Sequence, residues 1–196
     1  SDNSFVLVDI ASTISTDRKF HGAATAGNGK VIFSPFNADG VGVFDPSAPP
    51  EEAFTLVDIA STISGTGKFR GAATAGNGKV IFAPFIADGV GVFDPSAPPE
   101  EAFTLVDIAS TITINDKFGR AATAGNGKVI FAPFNADGVG VFDPNAPPEE
   151  AFTLVDIAIT INDKFHGAAT VSNGKVIFAP FNADGVGVFD PSAPPE

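Results

Sequence analysis

Gly71-Ala72-Ala73-Thr74-Ala75-Gly76-Asn77-Gly78-Lys79-Val80-Ile81-Phe82-Ala83-Pro84 is the stretch whose reading decides the fold. Asn77-Gly78 marks a tight hairpin, because both residues tolerate the positive φ that such a turn needs. The residues before it, 71–75, form a small apolar strand, and residues 79–83 form a second strand. Pro84 ends that strand, since it has no amide to give to a ladder. Ala87-Asp88-Gly89 then turns the chain into a third strand, Val90-Gly91-Val92-Phe93. Asp94-Pro95-Ser96-Ala97-Pro98-Pro99-Glu100-Glu101 is a stiff acidic connection, and residues 103–108 read as a fourth strand.

The same phrase recurs along the chain. The Asp of Leu-Val-Asp-Ile stands at Asp9, Asp58, Asp107 and Asp156, at intervals of 49 residues. Asp-Gly-Val-Gly-Val-Phe-Asp-Pro begins at Asp39, Asp88, Asp137 and Asp184, so the last unit is two residues shorter. The deletion falls in residues 158–163, where a loop absorbs it without disturbing strand register. No stretch has a sustained helical period, and apolar residues occupy both faces of the second and third strands, as sheets stacked on both sides require.

Four antiparallel strands per unit of this length predict an all-β, four-bladed β-propeller as a single domain over residues 1–196. The blades fall at about 20–59, 69–108, 118–157 and 165–191. Residues 5–10, Phe-Val-Leu-Val-Asp-Ile, are a fourth strand with no three before it, whereas the last unit has three strands only. The expectation is therefore that the N-terminal strand closes the last blade and removes two open edges. The small inner strands, Gly-Ala-Ala-Thr-Ala, suit a narrow four-bladed axis.

Segments such as His166-Gly167-Ala168-Ala169-Thr170, Asn173-Gly174-Lys175-Val176-Ile177-Phe178 and Asn182-Ala183-Asp184-Gly185-Val186-Gly187-Val188-Phe189-Asp190-Pro191 resemble blades of the virginiamycin B lyase-like and NHL-type propellers. Those families usually have more blades and include lyases, lactonases and interaction scaffolds. The lyase resemblance implies a histidine acting with a glutamate and magnesium, which directs attention to His21 and His166. Apart from Glu196, every glutamate of this chain lies in the acidic connections, which are expected on the opposite face from those histidines. The lyase set is thus not assembled, and a fold alone does not carry an activity.

Composition narrows the classes further. A formal charge of −12 with eleven basic residues speaks against nucleic acid as a partner, which needs clustered Lys and Arg. No apolar run approaches the roughly twenty residues that span a bilayer, so membrane insertion is not expected. Ser1-Asp2-Asn3-Ser4 has no signal pattern, and with no cysteine there is no disulfide to fix a compartment. The expectation is a soluble chain of open localisation.

Two rims collect the candidate site residues. Asp39, Asp88, Asp137 and Asp184 could ring an axis and hold a hard cation through oxygen ligands, an ion in the central channel being the one cofactor in view. The same residues are what an Asp-Gly turn uses for its own geometry. His21, Arg70, Arg120 and His166 mark blade entry, and their alternation among otherwise near-identical units is not required by the fold. A mixed His/Arg rim captures a carboxylate or small anion; drift at exposed loop ends gives the same pattern. No nucleophile–base pair stands at a recognisable spacing, so no catalytic residue is expected. The leading expectation is a non-enzymatic scaffold, structural or protein-interaction module, open to a protein partner or self-association; a ligand- or ion-binding propeller is the alternative, and a lyase-like enzyme the third.

Overall fold

The computed structural model describes residues 4–193; residues 1–3 and 194–196, at the two chain ends considered above, lie outside the described residues. The first sheet holds β1 (Phe20–Thr25), β2 (Val31–Pro35), β3 (Gly40–Phe44) and β4 (Phe54–Asp58). The second holds β5 (Phe69–Thr74), β6 (Val80–Pro84), β7 (Gly89–Phe93) and β8 (Phe103–Asp107). The third holds β9 (Phe118–Thr123), β10 (Val129–Pro133), β11 (Gly138–Phe142) and β12 (Phe152–Asp156). The fourth has three strands, β13 (Phe165–Thr170), β14 (Val176–Pro180) and β15 (Gly187–Phe189). Each sheet is an antiparallel meander in chain order. This is a four-bladed β-propeller built on the predicted repeat.

The Val-Gly-Val-Phe phrase explains how blades stack. A side chain at Gly91 would lie 2.9 Å from a ring carbon of Phe82 and 3.0 Å from one of Phe69, so glycine leaves the hollow in which those rings lie. Phe69, Phe82 and Phe103 pack there with ring centroids 5.7–6.4 Å apart. Val90 and Val92 point to the other face of the same blade and are buried by the next one. Each joint therefore sets an Ile/Val face of one blade against a Phe face of its successor. Ile32 and Val41 meet Phe69 and Phe82, Ile81 and Val90 meet Phe118 and Phe131, and Ile130 and Val139 meet Phe165 and Phe178. Burying each such side chain is worth about 1.5–3 kcal/mol.

Polar atoms fix the angle of every joint. The Lys68, Lys117 and Lys164 amides donate to the carbonyls of Phe36, Phe85 and Phe134 in the preceding blade, at 2.9, 3.0 and 2.9 Å. The three lysine side chains are buried, and their ammonium groups reach Asp39, Asp88 and Asp137 at 3.4, 3.2 and 3.7 Å. On the inner strands, Thr74, Thr123 and Thr170 hydroxyls donate to the carbonyls of Thr25, Thr74 and Thr123.

The expected closure by the N-terminal strand does not occur. Residues 5–10 form no strand with β15; Val6, Val8 and Ile10 lie instead against the Phe face of the first blade. The outer face of the fourth blade stays open, with Val186 62% exposed where its counterparts Val90 and Val139 are buried, and Val188 62% exposed where its counterpart Val92 is buried. The physical reason lies in the inner strands. Their small residues serve the approach of adjacent blades rather than a narrow axis: a side chain at Gly71 would stand 3.0 Å from the Arg120 Cα, and φ there is +139°. Three joints so built bend the sheets into an arc whose ends do not meet.

One buried hydroxyl breaks the pattern. Ser34 is fully buried, and its Oγ has no hydrogen-bond partner, whereas the equivalent positions Ala83 and Ala132 are buried alanines. Ser34→Ala is expected to stabilise the fold by about 1 kcal/mol, because an unpaired buried hydroxyl is removed from a site that already suits alanine. Urea unfolding measures this as a higher midpoint at unchanged slope; a lower midpoint would contradict it.

Candidate functional site

The inner strand of each blade has a register shift near its start, between Phe20 and Ala23, Phe69 and Ala72, and Phe165 and Gly167 on the inner strands of blades one, two and four. The third blade shifts between Phe131 and Pro133, opposite Ala121 and Phe118. The bulged residues are His21, Arg70, Arg120 and His166. A bulge re-aims the side chain it carries, and here it gathers all four at one end of the inner strands.

They pair across alternate blades. Arg120 Nη1 and His21 Nδ1 are 2.9 Å apart, joining blades three and one, while Arg70 Nη2 bonds His166 Nε2, joining blades two and four. A guanidinium only donates, so each histidine ring nitrogen accepts and each ring is neutral. Arg120 also donates to the Gly119 carbonyl at 3.2 Å. Beneath the pairs runs a row of rings, Phe36, Phe85, Phe134 and Phe181, with neighbouring centroids 5.9–6.1 Å apart. The Arg70 guanidinium lies 4.7 and 4.8 Å from the Phe85 and Phe134 centroids, close enough for a cation–π contact. The His21 ring lies tilted at 5.5 Å from Phe36, and that of His166 at 5.5 Å from Phe181.

The electrostatics follow from this packing. Burial pushes both histidines below the usual imidazole range, and the two guanidinium charges push the same way. Burial also lowers Arg70, with repulsion from Arg120 as the next cause. No salt bridge joins a carboxylate to any of the four side chains among the described residues, so two arginines share a half-buried cluster with neutral acceptors only.

The other expected rim is used differently. Asp39, Asp88 and Asp137 each face the buried lysine of the next blade, and Asp184, paired with no lysine among the described residues, is exposed. Among the described residues no group of three or more His, Asp or Glu converges to hold a metal ion. Asn37 and Asn135, beside these turns, accept from the amides of Gly67 and Asp163 in the next loop. The acidic connections lie at the far end of the blades, where Asn28 and Asn77 donate to the carbonyls of Pro95 and Pro144. Lys30, Lys79, Lys128 and Lys175 pair there with Asp45, Asp94, Asp143 and Asp190. Hydrogen bonds from Ser192, then the Lys175 ammonium, hold Asp190 down at about 2. The glutamates of those connections are therefore remote from His21 and His166.

The phenylalanine row was missed by sequence reasoning. Its signal was a Pro-Phe dipeptide after every second strand, at a turn where backbone geometry alone does not ask for an aromatic ring.

The chain matches no protein-family profile and no curated protein. Solved structures resemble it at the level of fold. It overlays a catalytically inactive virginiamycin B lyase from Staphylococcus aureus with quinupristin at a TM-score of 0.70 and 13% identity, over 92% of this chain and 55% of that one. The extracellular domain of a hybrid two-component system from B. thetaiotaomicron matches at 0.67 and 15% identity, over 98% of this chain and 24% of that one. A PQQ-bound aldose sugar dehydrogenase from Streptomyces coelicolor matches at 0.58 and 12% identity, over 88% of this chain and 60% of that one. This chain is thus a β-propeller, similar to propeller proteins of varied function that include a lyase and a dehydrogenase. It spans less than two thirds of the length of each. No described helix is long and apolar enough to cross a membrane.

The neutral histidines make a pH prediction. Their folded-state pKa values lie below those of the unfolded chain, so the unfolded state takes up protons first as pH falls. Stability is full above about pH 6.5, the unperturbed histidine value, and is lost as pH drops through the folded values. Urea unfolding is expected to show lower stability at about pH 5.5 than at about pH 7.5. The double variant His21→Gln/His166→Gln, which keeps an acceptor and cannot titrate, should flatten that difference. Equal stability of the parent protein at both pH values would contradict the neutral pairing.

Proposed function

We propose that the chain is a non-enzymatic interaction scaffold, a propeller module that presents repeated surfaces rather than performing a reaction. The observation that carries this reading is the pairing of Arg70 with His166 and Arg120 with His21. A general base needs a free ring nitrogen within reach of a substrate proton. Here one nitrogen of each histidine already accepts from arginine, in a contact that ties alternate blades together. The residues that looked most chemical in the sequence act as stitches of the scaffold. The repeated acidic connections then offer several copies of one surface, which favours a partner with repeated features through avidity.

The test is a paired measurement on His166→Ala. This variant is expected to lose about 1–3 kcal/mol of stability, the usual cost of leaving a charge-bonded group without its partner. The parent protein is expected to give no turnover with cyclic depsipeptide, lactone or sugar substrates. Turnover by the parent that disappears in His166→Ala, at a temperature where the variant is folded, would overturn the scaffold reading.

A second reading, capture of a small anion, is favoured by one specific feature: two guanidinium groups converge and neither forms a salt bridge among the described residues, Asp116 and Asp163 acting on Arg70 only at a distance. Arginine presents several donors in a planar fork, and each pair above uses few of them. Calorimetry with acetate, citrate and phosphate would give binding that Arg70→Met abolishes. Calcium and magnesium serve as the opposite-charge control.

A further inference from the structure

Three joints in this chain repeat one set of contacts, and the chain ends hold the two halves of a fourth. On the open side of blade four, Val186 and Val188 are exposed, Phe181 is 61% exposed, its carbonyl accepts no described bond, and Asp184 faces no lysine. On the open side of blade one, Phe20 and Phe33 are only half-buried, whereas Phe69 and Phe82 are completely buried. Lys19 occupies the position of Lys68, Lys117 and Lys164, yet its amide and ammonium lack the bonds that those three make.

The N-terminal segment completes the picture. Val8 and Ile10 correspond to Val57 and Ile59 of the repeat, which pack on the Phe face of blade two. Val8 and Ile10 line a groove of about 430 Å3 over the equivalent face of blade one, with Phe20, Phe33 and Phe54. The turn after them is already in the repeat conformation. The Ala11 amide bonds Asp9 Oδ1 at 2.9 Å, as Ala60 bonds Asp58 and Ala109 bonds Asp107 at 2.8 Å. The Ile14 amide bonds the Ile10 carbonyl, as Ile63 bonds that of Ile59. Residues 5–10 thus sit where the outermost strand of a preceding blade would sit, with no other strand of such a blade among the described residues. Phe5, Val6 and Leu7 are left 73–88% exposed.

We infer that a second copy of this chain docks head to tail on these faces: blade four of one copy packs on blade one of the other, and residues 5–10 become the fourth strand beside the partner's β15. The occupant is a copy of this chain because the two faces already fit one another three times within it. In the intermolecular joint, the Lys19 amide bonds the carbonyl of the partner's Phe181, and its ammonium reaches the partner's Asp184. The Thr25 hydroxyl donates to the carbonyl of the partner's Thr170, and the Ile10 amide to that of the partner's Asp184. The arc covers 55–58% of the lyase chains it overlays, so it is a little more than half of a propeller, and a second copy supplies the remainder with some excess. The product is an eight-bladed ring with two identical joints, at the upper end of the usual four to eight blades. A head-to-tail contact that closes gives a ring, and one that does not gives a fibre. This inference stands whether or not the module is catalytic.

Light scattering coupled to size-exclusion chromatography tests it on the whole chain. The expected mass is twice the 19.9 kDa of one chain. Val188→Asp, on the exposed face of blade four, and Lys19→Glu, on blade one, should each weaken association at least about tenfold, as loss of a central contact does. Circular dichroism should show both variants folded, because Val188 is exposed in the single chain. An equimolar mixture of the two variants regains one intact joint, seen as energy transfer between differently labelled chains. A 19.9 kDa particle at all concentrations would overturn the inference and leave the faces to another protein or to further repeats. A dimer indifferent to both substitutions, or variants that do not complement each other, would also overturn it. A ladder of higher multiples would overturn closure into a ring.

Discussion

The rest of this structure depends on the joint between blades. Its apolar part is a Phe face seated on an Ile/Val face, and its polar part is a buried lysine that bonds the preceding blade through both its amide and its ammonium. Lys117 shows how a charge is tolerated there. Its side chain is fully buried, but its Nζ meets the Ile86 carbonyl and Asp88, whose own side chain is 65% exposed. The stem fills the joint while the charge reaches its wet edge. Removing such a partner would leave an ammonium without compensation, a costly outcome in any buried setting. Because each blade contacts only its neighbours in this way, stability accumulates joint by joint, as in other repeat proteins.

The axial cluster is a consequence of that arrangement. Stacked inner strands place four bulges in a row, and a bulge turns its side chain out of the ladder toward the axis. Arginine is long enough to pass over one blade and reach the next but one, and a neutral histidine is the acceptor it finds. The outer blades carry histidine and the inner blades carry arginine, so the order His, Arg, Arg, His gives two crossed pairs, each arginine bonded to a histidine. The variation among near-identical units is thereby assigned a structural task.

Much of the fold was legible in the sequence because its signals are local. Asn-Gly turns, Pro stops and the 49-residue period point to the strands and the number of blades, and four antiparallel sheets of four, four, four and three strands follow that repeat, residues 5–10 excepted. Closure was not legible. Whether residues 5–10 complete the last blade depends on the angle accumulated over three joints, and that angle is set by packing and hydrogen bonds between blades, which no residue pattern states. The buried lysines were hidden for a different reason. Lysine in a polar loop reads as solvated, and only the assembled joint shows Lys68, Lys117 and Lys164 enclosed. The candidate cluster was legible as residues but not as pairs, since a partner two blades away leaves no spacing signature beyond the repeat itself.

Amide hydrogen exchange of Lys68, Lys117 and Lys164, followed by nuclear magnetic resonance, tests the central role of the joint most directly. These amides sit at the loop ends of inner strands, where turn amides ordinarily exchange fast, and both their burial and their bonds to Phe36, Phe85 and Phe134 come from the joint with the preceding blade. The account predicts that all three exchange only when the whole domain unfolds, with the slowest rates in the protein. Exchange as rapid as that of the Asn-Gly turn amides would contradict it, for the blades would then open from one another without unfolding.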